Sequence, residues 1–258
     1  MDTIILGDGA LGSAIATALG RRGDTVRLLG RPPNRGHDPA ALAGADVVFD
    51  ASVGEAVAGN VDAALAAGCR AFVIGTTGWD ADRAAVARAL HRAHASGVAA
   101  ANLSLGAALF LRLVESATAL FGPVGDFEPY VVEWHRRGKR DRPSGTAREL
   151  ARRIAAGHPR VQWTAGPAEP VSMSGHPADE LEVVAIRAGS SPGSHLVGFD
   201  APGETVELRL TARDRSAYAA GALAAADWLV RAPRAPGLHA FEPVVDELLM
   251  SPVLAATA

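Results

Sequence analysis

The chain has 258 residues, 48% of them hydrophobic and 21% charged, with a net charge of -3. That length allows a real core in one large domain or two smaller ones, and the small negative charge argues against a general nucleic-acid or membrane-surface binder. Cys69 is the sole cysteine, so no internal disulfide forms and a reducing compartment fits. No apolar run approaches membrane-spanning length. Met1-Asp2 leads straight into a strand pattern without a signal-peptide pattern, which makes the cytoplasm the expected location.

Thr3-Ile4-Ile5-Leu6 is an apolar run without alternation, as expected of a strand buried on both faces. It enters Gly7-Asp8-Gly9-Ala10-Leu11-Gly12, and a helical pattern follows through Ile15 and Leu19 to Gly20. Gly-x-Gly-x-x-Gly between a strand and a helix predicts dinucleotide binding, with Gly7, Gly9, Ala10, Leu11 and Gly12 around the pyrophosphate. A plain tight turn is the alternative. Thr25-Val26-Arg27-Leu28-Leu29 is the second strand, ending in Gly30-Arg31 with Arg35 nearby. An acidic residue there would favour NAD; a guanidinium suits a 2′-phosphate, so NADPH is the preferred cofactor and NADH the other possibility.

Residues 32–40 read as loop, 47–50 as a third strand, 55–67 as helix and 71–74 as a fourth strand. The fourth strand ends in Gly75-Thr76-Thr77-Gly78, where small residues let backbone pass close to the nicotinamide half of a cofactor. Helix is expected over 80–95. Val98-Ala99-Ala100-Ala101 reads as a fifth strand leading into Asn102, and Ala101 and Asn102 join the cofactor residues. Alternating strands and helices to this point predict an α/β fold with a parallel, doubly wound sheet.

The pattern then changes. Residues 107–120 form a strongly apolar helical stretch, and Tyr130-Val131-Val132-Glu133 reads as a strand. A helix ends near Ala156, and segments 161–163, 182–186, 194–199 and 204–210 alternate between Gly/Pro turns. These predict an antiparallel or mixed open sheet with one covered face, hence a second domain. An alanine-rich helix over 218–230 returns to the first domain, and 242–249 finishes the chain.

Chemistry concentrates in Glu133-Trp134-His135-Arg136-Arg137-Gly138-Lys139-Arg140-Asp141-Arg142-Pro143-Ser144-Gly145-Thr146-Ala147. Lys139 is the only lysine of the chain; every other Lys/Arg position is arginine. Lysine can exchange a proton near neutral pH in a suitable environment, whereas arginine effectively cannot. Lys139 four residues after His135 therefore reads as a proton-handling pair. Thr146 and Glu149 have capping-box spacing, so a helix is expected to start near Ser144 to Thr146, its first N–H groups offering a carboxylate or phosphate site beside the basic cluster. His195 sits in a sheet-like run and reads as structural or supporting. His37, His91, His94, His158, His176 and His239 show no metal-ligand spacing, and no metal is expected. Asp141 reads as fixing its loop, and Trp79, Trp163 and Trp228 as packing.

These residues resemble the 4-hydroxy-tetrahydrodipicolinate reductase (dihydrodipicolinate reductase) family over nearly the whole chain. The likeness rests on Gly7 to Gly12, Gly75 to Gly78, Asn102-x-Ser104-x-Gly106, and above all Glu133 to Ala147, and continues in Ile186 to Gly189, Gly193-x-His195, Ala212-x-x-Arg215 and Gly221-Ala222. It implies a Rossmann-like N-terminal domain completed by the C-terminal helix (1–103 and 216–258) and an α+β substrate and oligomerisation domain with a mixed open sheet (104–215). It further implies a homotetramer and NAD(P)H-dependent reduction of a cyclic imine dicarboxylate in diaminopimelate and lysine biosynthesis. His135 and Lys139 would be catalytic. Ser144, Gly145 and Thr146 would hold a substrate carboxylate, with Arg136, Lys139 and Arg215. Gly75, Thr76, Thr77 and Asn102 would line the nicotinamide, and Arg31 would reach the adenosine ribose or its phosphate.

The chain departs from the family pattern at Trp134, Arg136, Arg142, Gly30 and Ala10, and at Ser190-Ser191 before His195. The departures at Trp134, Arg136 and Arg142 support a second reading, the same fold reducing another imine or keto acid. A third, a nucleotide-sensing module without catalysis, sits poorly with an intact His135, Lys139 and Ser-Gly-Thr set.

Overall fold

Strand and helix alternate through the first hundred residues of the computed structural model, which describes residues 1–30, 37–164 and 179–250. The order is β1 (Asp2–Leu6), α1 (Ala10–Arg22), β2 (Thr25–Leu29), the short α2 (Pro39–Leu42), β3 (Val47–Asp50), α3 (Val57–Ala66), β4 (Ala71–Ile74), α4 (Arg83–Arg92) and β5 (Ser96–Ala99). Single 3-10 turns, Gly54–Ala56 and Asp80–Asp82, lead into α3 and α4. After α5 (Leu105–Phe121) come β6 (Glu128–His135), α6 (Gly145–Gly157), β7 (Glu182–Arg187), β8 (Ser194–Ala201), β9 (Glu204–Thr211), α7 (Ser216–Arg231), β10 (Gly237–His239) and α8 (Glu242–Met250).

Two compact units result: residues 1–105 with the described chain from Arg215 onward, and Gly106–Asp214. The first holds a six-stranded sheet in the order β10-β5-β4-β3-β1-β2, every pair parallel. The order reverses between β1 and β3, the crevice where such sheets bind ligands. Ile4, Leu6, Val48, Phe72 and Ile74 pack with Val57, Val61, Val86 and Leu90 of α3 and α4. On the other face α7 packs beside α1 and against β4. It comes so close that a Cβ on Gly221 would lie 1.6 Å from the Leu103 carbonyl oxygen.

The second unit holds a four-stranded sheet in the order β7-β6-β8-β9, with β6–β7 parallel and the other pairs antiparallel. One face is covered: Val131, Val197, Phe199, Leu208 and Leu210 meet Phe110 and Val114 of α5 and Leu150, Ala151 and Ile154 of α6. The other carries Tyr130, Val132, Trp134, Val184, Ile186 and Leu196, partly or well exposed.

The mixed sheet and the doubly wound sheet match the expected fold class, with local corrections. The fifth strand lies two residues earlier than expected, because Ser96 to Ala99 pair with β4 and Ala100-Ala101 run past its end. Segment 161–163 is no strand; Gln162 makes one isolated bridge to Glu180. β10 is not expected from sequence, since three residues after Pro236 carry no periodicity, yet it pairs in parallel with β5. The expected cap also moves. Ser144, not Thr146, caps α6, its Oγ accepting from the Ala147 N–H at 3.2 Å. Glu149 turns instead to Arg152 and Arg153 at 2.7 and 2.6 Å.

Candidate active site

β6 alternates strictly, so Glu133 and His135 face inward with Val131 while Trp134 faces outward. Trp134 is 42% exposed and donates from Nε1 to the Ala188 carbonyl at 2.9 Å. It lies across the sheet from His135, so it does not shape a pocket there, contrary to the expectation from sequence. Glu133 is fully buried and is the hub of the site. Its Oε1 accepts from the Ser144 N–H at 2.8 Å and from Arg187 Nη2 at 2.6 Å. Its Oε2 lies 3.3 Å from His135 Nε2 and 3.6 Å from His195 Nε2. His195 Nε2 is also 3.2 Å from Ser144 Oγ, and the two imidazoles meet edge to face with centroids 5.2 Å apart. Arg187 donates as well to the Asp141 carbonyl, tying the loop to β7. Gly193 abuts His135: at φ +144, a Cβ there would fall 2.9 Å from the ring Cε1.

The loop after β6 carries the cations. Lys139 Nζ pairs with Asp141 Oδ1 at 2.7 Å, so Asp141 fixes the lysine as well as the loop. Arg136, Arg140 and Arg142 are exposed. Pro143 and Ser144 are buried, and Gly145 faces open space: a Cβ there would meet nothing within 4 Å. The first N–H groups of a helix have no intrahelical partner. Ser144 N–H is used by Glu133, which leaves the N–H groups of Gly145 and Thr146 for a ligand.

Burial alone would raise the Glu133 carboxyl, but hydrogen bonds from His195, Ser144 and Arg187 hold it well below the ordinary carboxylate range. Burial pushes His135 down to about 4, helped by the positive fields of His195, Lys139 and Arg187 and opposed by Glu133. His135 is therefore a neutral imidazole at pH 7 in the ligand-free protein. Glu133, His135 and His195 place three potential metal ligands within 4.8 Å of one another, which spacing in sequence did not reveal because they come from two strands. The charge of Glu133 is met on one side by the Arg187 guanidinium, while Glu133 Oε2, His135 Nε2 and Arg187 Nε are buried without a hydrogen-bond partner.

In the first unit the glycine loop has the shape a pyrophosphate requires. Gly7 adopts φ +110 and packs on the loop after β3, where a Cβ would meet the Ala51 oxygen at 2.3 Å. A Cβ on Gly12 would meet the Gly7 oxygen at 1.9 Å, while Gly9, at the N-terminus of α1, opens onto free space. Ala10 and Leu11 begin α1, with Leu11 against Gly75. The Thr76 hydroxyl turns inward to Asp50 at 2.5 Å, so only its backbone is left to face a ligand; Thr77 and Ala101 are exposed. Asp50 also accepts from Ser52 Oγ at 2.7 Å and Asn60 Nδ2 at 2.8 Å, fixing both loops. Asn102 Oδ1 caps the Ser104 N–H at 2.9 Å. Arg31 and Arg35 lie outside the described residues. Arg215 belongs to this unit, its guanidinium 5.1 Å from the Tyr218 ring centroid.

The second unit thus brings together His135, Lys139, Ser144, Gly145 and Thr146 on one strand–loop–helix connection. Sequence reasoning gave no role to Glu133, Arg187 or Asp50. A signal existed for Glu133 alone: two residues before His135 on an alternating strand, it must share the histidine's face.

Comparison with known proteins identifies the family. Residues 106–245 match the family described as dihydrodipicolinate reductase, C-terminus, and residues 33–103 match dihydrodipicolinate reductase, N-terminus. The 4-hydroxy-tetrahydrodipicolinate reductase of Myxococcus xanthus is 38% identical over 195 residues, 76% of this chain and 70% of the relative. That of Methanopyrus kandleri is 36% identical over 243 residues, 92% of this chain and 86% of the relative. Among solved structures, the dipicolinate-bound dihydrodipicolinate reductase from Paenisporosarcina sp. TG-14 superposes with a TM-score of 0.71 at 19% identity, covering 93% of this chain and 97% of its own. An engineered D-amino acid dehydrogenase bound to NADP+ gives 0.53 at 14% identity, covering 97% and 98%, a likeness of fold. With the β6–α6 connection intact and both halves matched, the chain belongs to the dihydrodipicolinate reductase family.

Proposed function

We propose that this chain reduces 4-hydroxy-tetrahydrodipicolinate, a cyclic imine dicarboxylate, to tetrahydrodipicolinate with a nicotinamide cofactor, the reductase step of diaminopimelate and lysine biosynthesis. The observation that carries the reading is the β6–α6 connection, which gathers the sole lysine, a buried imidazole and an open helix start within one loop. The glycine cradle fits a dinucleotide, because Gly7 and Gly12 admit no side chain and Gly9 leaves the start of α1 open. Gly75, Thr77, Ala101 and Asn102 are the proposed neighbours of the nicotinamide, with Thr76 acting through its backbone. When bound, the cofactor supplies a hydride.

The protein's own groups do the rest. The N–H groups of Gly145 and Thr146 bind one substrate carboxylate, and Arg136 and Arg215 are the proposed partners for the other. Neutralising those carboxylates makes the conjugated imine a better hydride acceptor. Lys139 is the proton source: its Nζ is positioned by Asp141, while His135 starts neutral. His135 orients the substrate by hydrogen bonding and takes on a proton only as the dianion's field raises its affinity. The hydroxyl leaves as water together with a hydrogen from the neighbouring ring carbon, and the hydride and the proton then add to the conjugated imine so formed.

The partly apolar outer face of the second sheet supports a homotetramer, and among the described residues no helix is long and apolar enough to cross a membrane. The cytoplasm is the proposed location. Steady-state oxidation of reduced nicotinamide with enzymatically generated 4-hydroxy-tetrahydrodipicolinate, against other cyclic imino and keto acids, tests the reading. A higher kcat/KM on another imine would move the chain to specialised metabolism, and tight nucleotide binding without any turnover would make it a sensor.

A further inference from the structure

We propose that Asp8, inside the glycine loop, sorts the adenosine ribose and makes this protein prefer NADH. The inference rests on the reductase reading only for the identity of the nucleotide. In dinucleotide folds an acidic side chain at the end of the second strand accepts hydrogen bonds from the ribose hydroxyls, and an arginine there serves a 2′-phosphate instead. Here β2 ends at Leu29 and Gly30 follows with no side chain. The space beside Gly30 is filled from the other side. Asp8 Oδ2 lies 2.9 Å, and Cγ 3.3 Å, from the position a Cβ on Gly30 would take. The carboxylate that β2 lacks is thus delivered to the same place by the neighbouring loop.

That loop holds Asp8 firmly. Gly7 N–H donates to the Leu29 carbonyl at 2.8 Å, tying the two strand ends together, and Ser13 Oγ donates to the Asp8 carbonyl at 3.1 Å. The Asp8 side chain itself is exposed, free to accept from a ligand. A 2′-hydroxyl donates to a carboxylate; a 2′-phosphate brings two negative charges against it. By sequence the following Arg31 favours NADPH, but Asp8 opposes that choice.

The test is titration with NADH and with NADPH, followed by nucleotide fluorescence, with no imine present. The wild type should bind NADH at least about tenfold more tightly. Asp8→Asn should erase that ratio, chiefly by improving NADPH binding. Asp8→Gly combined with Gly30→Asp returns the acid to the end of β2 and should restore the NADH preference. Equal or tighter NADPH binding by the wild type, an unchanged ratio in Asp8→Asn, or failure to bind either nucleotide overturns the proposal. Failure of the reductase reading would look different: nucleotide binding with the expected ratio, but no turnover.

Discussion

At the scale of single residues, Lys139 and His135 take unequal parts. Lys139 is paired to Asp141 and its ammonium has protons to give, while His135 is held neutral by burial. Lys139→Ala should lower kcat by roughly 10²–10⁴ and leave nucleotide binding intact. Lys139→Arg should be nearly as slow, because a guanidinium keeps the charge but does not release the proton. Wild-type turnover in either variant would remove the proton-donor role. His135 has a second signature. Its folded-state value near 4 lies below the ordinary 6.5, so the unfolded chain takes up a proton that the folded chain refuses. Stability contributed this way is complete above about pH 6.5 and is lost as the pH falls toward 4, on the order of 3 kcal/mol in all. Urea unfolding at pH 7 and pH 4.5 should show a smaller acid loss for His135→Gln than for the wild type. His158 is lowered too, so the informative quantity is the difference between the two proteins. Both site residues were legible in sequence because they lie four apart on one short stretch, and a sole lysine marks itself.

At the scale of elements, the β6–α6 connection is held by a network that linear sequence hides. Glu133 comes from β6, Arg187 from β7 and His195 from β8, and only the register of the sheet brings them together. Glu133 bonds the N-cap residue of α6 and the guanidinium that anchors the loop at Asp141, so one carboxylate sets where the open N–H groups point. Glu133→Gln removes the charge that balances a buried arginine, and breaking such a pair costs about 3–5 kcal/mol. The melting temperature should fall accordingly. In whatever protein remains folded, KM for the dicarboxylate should rise more than kcat falls, since the helix start is displaced while Lys139 keeps its partner Asp141. An unchanged melting temperature would mean that water or another group takes over the arginine. Ser144 could be placed near the helix start from its spacing, yet Thr146 with Glu149 mimicked a better cap. The deciding factor was the buried pairing of Ser144 with Glu133 and His195, which no local rule includes.

At the scale of the whole molecule, the α/β half was legible almost strand by strand, because buried parallel strands are short apolar runs and their helices repeat at 3.6 residues. β10 and the shifted β5 were not, since their pairing depends on neighbours distant in sequence. The second sheet raises a question that a single chain cannot satisfy. Trp134, Val184 and Ile186 are about two-fifths exposed on its outer face, and in register they adjoin one another through Val132 and Leu196. Tyr130, Glu207 and Arg209 supply a polar flank on the same face. An apolar centre with a polar rim on an open sheet is the form of an interface between copies. The expected homotetramer would cover this face, and light scattering with size exclusion should report four copies for the wild type. Ile186→Glu places a charge at the centre of the face, where burial without a partner is costly. That variant should run as a smaller species with its nucleotide affinity unchanged, because the glycine loop lies in the other unit. A tetramer that survives Ile186→Glu would move the interface elsewhere and leave Trp134 without an explanation.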